Sequence, residues 1–195
     1  MTAALDAVAA TGIAHRVVRH EPARSLAEAA ERQGVEARDI AKTLVVRRGD
    51  GDFVCVLVPG DRVISWPKLR ALLGVNRIAM PDAATAKDAT GYERGTITPF
   101  GSTRPWPVIA DERIRGRVIT LGTGEHGVAV AVDADEVVRA TGASVADVTE
   151  PEPASPYARC GPAMRSMKRS MASRRSFPLP RVRSDTMNSD TPISA

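Results

Sequence analysis

Apolar residues in this chain come in short runs, some rich in Val and Ile and others in Ala and Leu, divided by Gly, Pro and Asp. The clearest pattern is a pair of β-branched-rich runs, Lys42 to Arg48 and Phe53 to Val58, on either side of Gly49-Asp50-Gly51-Asp52. Such a linker supplies the residues that tolerate positive φ, so the stretch predicts a tight β-hairpin. Upstream, the Ala and Leu content of residues 3–11 predicts a helix, Gly12 stops it, and Ala14 to Val18 predicts a short strand. Ser25 and Glu28 stand in capping-box spacing ahead of the helix-forming run Leu26 to Gln33. Gly34 follows where a left-handed residue ends a helix.

Beyond the hairpin, Pro59-Gly60-Asp61 predicts a turn. Ser65, Pro67 and Gly74 frame a short amphipathic helix as N-cap, first-turn proline and C-terminal glycine. Asp82 to Thr90 predicts another helix ending at Gly91, and a Gly/Pro-containing loop then runs to Pro107. The pattern returns to strand at Val108 to Ala110, Val118 to Leu121 and Val128 to Val132, with Gly122 to Gly127 as the turn before the last of these. Asp133 and Glu136 open a helix over Ala134 to Thr141, closed by Gly142, and Val145 to Val148 predicts a final edge strand. Beyond Glu150 the texture shifts to Pro, Ser, Arg and Met without apolar periodicity, and residues 151–195 read as a disordered, low-complexity tail.

Composition sharpens this picture. A chain of 195 residues, 43% hydrophobic and 4% aromatic, can bury one ordinary aliphatic core, which suits helices packed on a sheet in an α/β or mixed α+β domain. The net charge of +4 sits in the tail: residues 151–195 hold eight basic and three acidic side chains, leaving residues 1–150 with 19 basic and 20 acidic groups. The globular part is therefore not a basic nucleic-acid binder in bulk, although a local patch can still meet phosphate. The tail reads first as a solvated segment, against a basic arm on RNA phosphates or a fused stretch of no function. Cys55 and Cys160 form no CxxC and stand near no His pair, so neither a disulfide scaffold nor a zinc site is expected. With no basic leader before the first apolar residues and no stretch long enough to span a bilayer, the chain reads as a cytoplasmic protein.

Two segments carry candidate chemistry. Ala41-Lys42-Thr43-Leu44-Val45-Val46 sets one Lys at the start of a hydrophobic strand, where its ammonium either snorkels at a sheet end or binds a phosphate or developing oxyanion. Gly91-Tyr92-Glu93-Arg94-Gly95-Thr96-Ile97-Thr98-Pro99-Phe100-Gly101 has the Gly and Pro content of a loop whose backbone can approach a ligand. The bland alternative is a connecting loop that uses those residues only to turn. No Ser-His-Asp or Cys-His arrangement and no Walker-type loop is visible, and Cys55 reads as a core residue.

The order and flanking pattern of these segments resemble the YbaK/prolyl-tRNA synthetase-associated family, whose members hydrolyse mischarged aminoacyl-tRNA. Lys42-Thr43-Leu44 matches the family's KTL strand, Gly95 to Pro99 its GxxxP loop, and the GTGEHG of Gly122 to Gly127 its Gly-rich turn. The resemblance spans roughly residues 12–145 and implies a compact α/β domain with a mixed, barrel-like sheet flanked by helices. It implies Lys42 and Gly95 as catalytic positions, and contacts to the aminoacyl group from His20, Thr43, Thr96, Ile97, Thr98, Pro99, Gly101, Gly122 and Gly124. Ser102 is a further hydroxyl in reach, and His126 reads as a solvated turn residue. No cofactor and no metal are implied. The implied substrates are esters of the Cys-tRNA(Pro) or Ala-tRNA(Pro) type, met at the tRNA 3′ end, with prolyl-tRNA synthetase as a candidate partner and no membrane. Ala129 and Ala131 stand where relatives often carry a polar or acidic residue, which leaves open the choice of substrate and a domain whose pocket has decayed; a non-catalytic module that binds aminoacyl-tRNA, a synthetase or a nucleotide is a separate alternative.

Overall fold

The computed structural model describes residues 2–153. Helix α1 (Ala3–Ala10) is capped by Thr2, whose hydroxyl accepts from the Leu5 N–H. Strand β1 (His15–Arg19) leads to helix α2 (Leu26–Gln33), where the Ser25 hydroxyl accepts from the Glu28 N–H and Gly34 adopts φ 67°. The box differs in one detail: the Glu28 carboxylate reaches back to the Arg24 N–H rather than to that of Ser25.

The expected hairpin is present as β2 (Ala41–Gly49) and β3 (Asp52–Pro59), with Gly51 at φ 65° and a register shift between Arg47 and Gly49. After the turn at Gly60-Asp61 comes a strand that the sequence pattern did not suggest, β4 (Arg62–Ile64). Helix α3 (Trp66–Leu73) starts after Ser65 as expected, but the Ser65 side chain makes no capping bond. Helix α4 (Ala83–Thr90) is capped by the Asp82 carboxylate accepting from the Thr85 N–H. Strands β5 (Val108–Asp111), β6 (Val118–Gly122) and β7 (Val128–Asp133) and helix α5 (Ala134–Thr141) complete the expected order. Of the expected edge strand only Val145 and Ala146 lie in a strand, β8 (Ser144–Ala146), and β9 (Thr149–Pro151) follows beyond the expected bounds, so regular structure continues past Glu150. The tail expected to be disordered lies, from residue 154 on, outside the described residues.

Two layers, one mixed and one antiparallel, form the framework. One sheet has the order β2-β3-β5-β8, with β5 parallel to both neighbours, and the other the antiparallel order β1-β7-β6. A single parallel bridge between Ile40 and Thr120 joins them at the start of β2 and the middle of β6. Between the layers lies an aliphatic core that includes Leu57, Ile119, Leu121, Val130 and Val137. A second cluster around Val46, Val56, Leu69 and Val148 packs α3 on the far side of the hairpin. Each such side chain contributes about 1.5–3 kcal/mol on burial, so β2 and β3 are held rigidly from both faces. Among the described residues, no helix is long and apolar enough to cross a membrane.

Candidate functional site

The open edge of β2 forms one wall of a cleft of about 620 Å³. Its hydrogen-bonding direction follows from two contacts. Arg47 exchanges both backbone bonds with Ala79, at 2.9 and 3.1 Å, and the Cys55 N–H donates to Pro107 rather than to its register partner Val45. Residues two apart on a strand share a flank, so the N–H and C=O of Thr43 and Val45 also point away from β3. The consecutive run Ile40 to Val45 lines the cleft, as an open strand edge does. The wall is closed at one end by the Ile40–Thr120 bridge and at the other by the Arg47–Ala79 pair.

Lys42 lines this cleft, and its ammonium donates to the carbonyls of Gly60, at 2.9 Å, and Arg62, at 2.5 Å. An ammonium has three N–H groups, so one remains uncommitted. Burial is the main influence on the group and holds its pKa below the ordinary lysine value, against the opposing fields of Glu152 and Asp61. Gly60 is required for this arrangement: a Cβ there would lie 2.1 Å from the Ala37 carbonyl oxygen and 2.9 Å from the Leu26 side chain. The turn that holds Lys42 is thus pressed against the segment leading from α2 into β2.

The opposite wall is the loop after α4. Gly95 sits at φ 94°, exposed, and with Arg94 and Ile97 it borders the cleft. The loop is pinned from beneath. The Thr96 hydroxyl donates to the Glu93 carbonyl at 2.9 Å, the Thr96 carbonyl accepts from the Gly124 N–H at 2.9 Å, and the Tyr92 hydroxyl donates to the Phe100 carbonyl at 2.9 Å. Two glycines make room for this: a Cβ at Gly122 would stand 2.7 Å from the Thr96 oxygen, and one at Gly124 would stand 2.5 Å from the Tyr92 ring. Farther on, Thr103 and the Trp106 indole both donate to the Ala89 carbonyl, which fastens the returning chain to α4.

Of the residues singled out in the sequence, His20, Lys42, Thr43, Gly95, Ile97 and Gly122 come together around the cleft. Thr96 and Thr98 are buried in the loop's own packing, and Pro99, Gly101, Ser102 and Gly124 are not among the lining residues. His20 is committed at both nitrogens: Nδ1 lies 2.8 Å from the Glu21 carbonyl, which makes it the donor, and Nε2 lies 3.1 Å from Gln33 Nε2, from which it accepts. His126 is an exposed lining residue, 3.7 Å from the Glu93 carboxylate. Glu93 is drawn below the usual carboxylate range chiefly by its hydrogen bond from Lys87.

Several polar residues around the cleft carry no signal in the sequence as contacts, among them the exposed Arg24 and Arg94, Gln33, and Thr120. Neither arginine forms an ion pair among the described residues. Thr120 sits within an apolar strand and carries no local signal, since only the bridge to Ile40 brings it to the cleft. Among the described residues no group of three or more His, Cys, Asp or Glu is placed to hold a metal ion.

Known proteins resemble this chain in sequence and in fold. Residues 20–140 match the model of the aminoacyl-tRNA editing domain. A protein of Enterococcus faecalis named EbsC, a candidate Cys-tRNA(Pro)/Cys-tRNA(Cys) deacylase, is 27% identical over 134 residues, covering 68% of this chain and 80% of its own. The proline–tRNA ligase of Thermosipho africanus is 36% identical over 92 residues, which are 47% of this chain but only 16% of the ligase. A solved structure described as a candidate trans-editing enzyme for prolyl-tRNA synthetase superposes with a TM-score of 0.69 at 28% identity, covering 76% of this chain and 95% of that one.

Proposed function

The chain belongs to the aminoacyl-tRNA editing domain family, and we propose that it hydrolyses the ester joining a misattached small amino acid to the 3′ end of a tRNA, of the Cys-tRNA(Pro) or Ala-tRNA(Pro) type. The observation that carries this reading is the cleft itself. A fixed backbone edge at Thr43 and Val45, a half-buried cation at Lys42 and a pinned loop at Gly95 converge on one space.

An aminoacyl ester is already activated, so the protein needs mainly to position it and stabilise developing charge. Water attacks the ester carbonyl carbon, the bond to the ribose oxygen breaks, and that oxygen takes the proton. The products are the free amino acid and a tRNA with its hydroxyl restored. Lys42 has one N–H to give to the oxyanion or a terminal phosphate, and Gly95 brings main chain against the aminoacyl group without an intervening side chain. Arg24 and Arg94 at the mouth meet phosphates of the tRNA end. Prolyl-tRNA synthetase is the natural partner for delivering the tRNA, and the cytoplasm is where both reside.

One observation favours a second reading, a module that binds aminoacyl-tRNA without turning it over: two of the three Lys42 donors already serve the turn between β3 and β4. Deacylation of Cys-, Ala-, Ser- and Thr-tRNA by wild type and Lys42→Ala separates the two. Loss of about 10²-fold in rate with the fold intact is expected for an electrostatic role. Unchanged turnover refutes that role, and tRNA binding without turnover on any ester establishes the binding module.

A further inference from the structure

The two carbonyls that hold the Lys42 ammonium belong to Gly60, in the turn before β4, and to Arg62, the first residue of that strand. Strand β4 is only three residues long and belongs to neither of the two layers. It pairs with β9, Arg62 opposite Pro151, Val63 opposite Glu150 and Ile64 opposite Thr149, and so short a ladder is marginal on its own. Arg62 is fastened to β9 a second time, through its side chain: Nε donates to the Thr149 hydroxyl at 2.6 Å and Nη2 to the Thr149 carbonyl at 3.3 Å. Thr149 is fully buried, where a valine would fill the same volume but accept nothing, and its carbonyl also accepts from the Lys68 ammonium at 3.2 Å. One residue past β9, the Glu152 N–H donates to the Asp61 carbonyl at 3.3 Å. Residues 149–152 thus lie along the segment that holds Lys42, as a strap, and they fall beyond residue 140, where the match to the editing-domain family ends.

We propose that this strap belongs to the working site, with Arg62 and Thr149 as positioning residues that set where the Lys42 ammonium stands. The inference rests on the deacylase reading above, with Lys42 acting on the ester. Arg62 accepts from Lys42 through its main chain and grips Thr149 through its side chain, so any shift of β4 against β9 moves the Arg62 carbonyl and the ammonium bonded to it. A lysine ammonium rides on a flexible four-carbon stem. Two fixed acceptors select one of its many placements and leave the third N–H in a set direction. A displacement of about 1 Å at a reacting group costs about 10²-fold in rate, so a partial loosening of the strap predicts a loss of about tenfold.

The test measures kcat and KM on the Cys-, Ala-, Ser- and Thr-tRNA esters, using the full chain as wild type, Thr149→Val, Thr149→Ser, Arg62→Ala, Lys42→Ala and each of Thr149→Val and Arg62→Ala combined with Lys42→Ala. Thr149→Val and Arg62→Ala are each expected to lower kcat by about tenfold with KM little changed, while Thr149→Ser, which keeps the hydroxyl, retains the wild-type rate. Added to Lys42→Ala, neither substitution is expected to lower the rate further, because the group they position is gone. A merely structural loss does not vanish in that background, and Gly142→Ala, which strains the end of α5 away from the cleft, is expected to keep full kcat. Should Thr149→Val fail to fold, the half-buried Arg62 supplies the same comparison. Full kcat in Thr149→Val and Arg62→Ala overturns the inference. So does a tenfold loss that persists on top of Lys42→Ala, which would place the strap's effect somewhere other than Lys42. Both results leave the deacylase reading standing, whereas a wild type that hydrolyses no ester, or Lys42→Ala at the wild-type rate, removes the reading on which the inference rests and the inference with it.

Discussion

Replacing Gly122 by alanine tests whether the loop at Gly95 is held in place by the end of β6. The new Cβ would lie 2.7 Å from the Thr96 carbonyl oxygen, 2.9 Å from its carbon and 3.1 Å from the Ile97 oxygen. Carbon rests about 3.3 Å or more from a carbonyl oxygen, so the loop must retreat by roughly 0.6 Å. The retreat pulls on the bond from the Gly124 N–H to the Thr96 carbonyl and shifts Gly95 and Ile97, which border the cleft. Overpacking of this kind costs about 1–3 kcal/mol. A displacement of about 1 Å at reacting groups costs about 10²-fold in rate, so a shift of roughly half that predicts a loss of about tenfold. Gly142→Ala is the control: its φ of 61° also strains an alanine, by about 1–2 kcal/mol, but nothing lies within 4 Å of the added carbon and the residue ends α5 away from the cleft. Initial rates of ester hydrolysis and denaturant midpoints on both variants decide the matter. If Gly122→Ala keeps full turnover while losing no more stability than Gly142→Ala, the loop is not positioned by this contact.

Four further outcomes follow from the structure. Gly60→Ala meets the Ala37 carbonyl at 2.1 Å and cannot be accommodated by a side-chain shift, so it should destabilise by more than about 3 kcal/mol and lower turnover through the carbonyl that holds Lys42, as read by melting and by rates on the folded fraction. The Arg24→Ala, Arg94→Ala double variant should weaken tRNA binding and reduce the salt slope by about 1–2; an unchanged slope removes both from the phosphate path. Asp111 is fully buried and accepts from the Val148 and Arg113 N–H groups, so Asp111→Ala should cost about 3 kcal/mol in denaturant unfolding with little effect on the cleft's chemistry. Burial pushes the Cys55 thiol from 9.0 up to about 11. The folded chain then keeps a proton that the unfolded chain has released, so this group's contribution to stability is present below 9.0 and is lost as pH rises toward about 11. The stability difference between wild type and Cys55→Ala, measured across that window, should narrow with rising pH.

Local structure was legible because local rules write it. The hairpin, α2 with its serine cap and closing glycine, and α5 behind Asp133 each depend on residues within one or two turns of each other. The misses share a cause. Neither β4 nor β9 carries a period of its own in three residues, and each exists because the other supplies its partner, Val63 opposite Glu150. Ser65 has an N-cap's identity and position, yet its hydroxyl makes no capping bond and its N–H donates to Val148. The resemblance treats Thr96, Ile97 and Thr98 alike as contacts to the aminoacyl group, but depth divides them: Ile97 borders the cleft while Thr96 and Thr98 are buried.

By itself, the amino-acid sequence determined the helices and the longer strands, where glycine had to break them, and which motifs mark the family. These are matters of backbone propensity and periodicity acting over a few residues. Only the tertiary structure decided that β5 runs parallel beside β3, that Lys42 spends two of its three donors on a turn 18 and 20 residues away, and that Thr120 meets Ile40 at the start of β2. Those outcomes depend on how distant segments close on one another, and no window of the chain contains both sides of the contact.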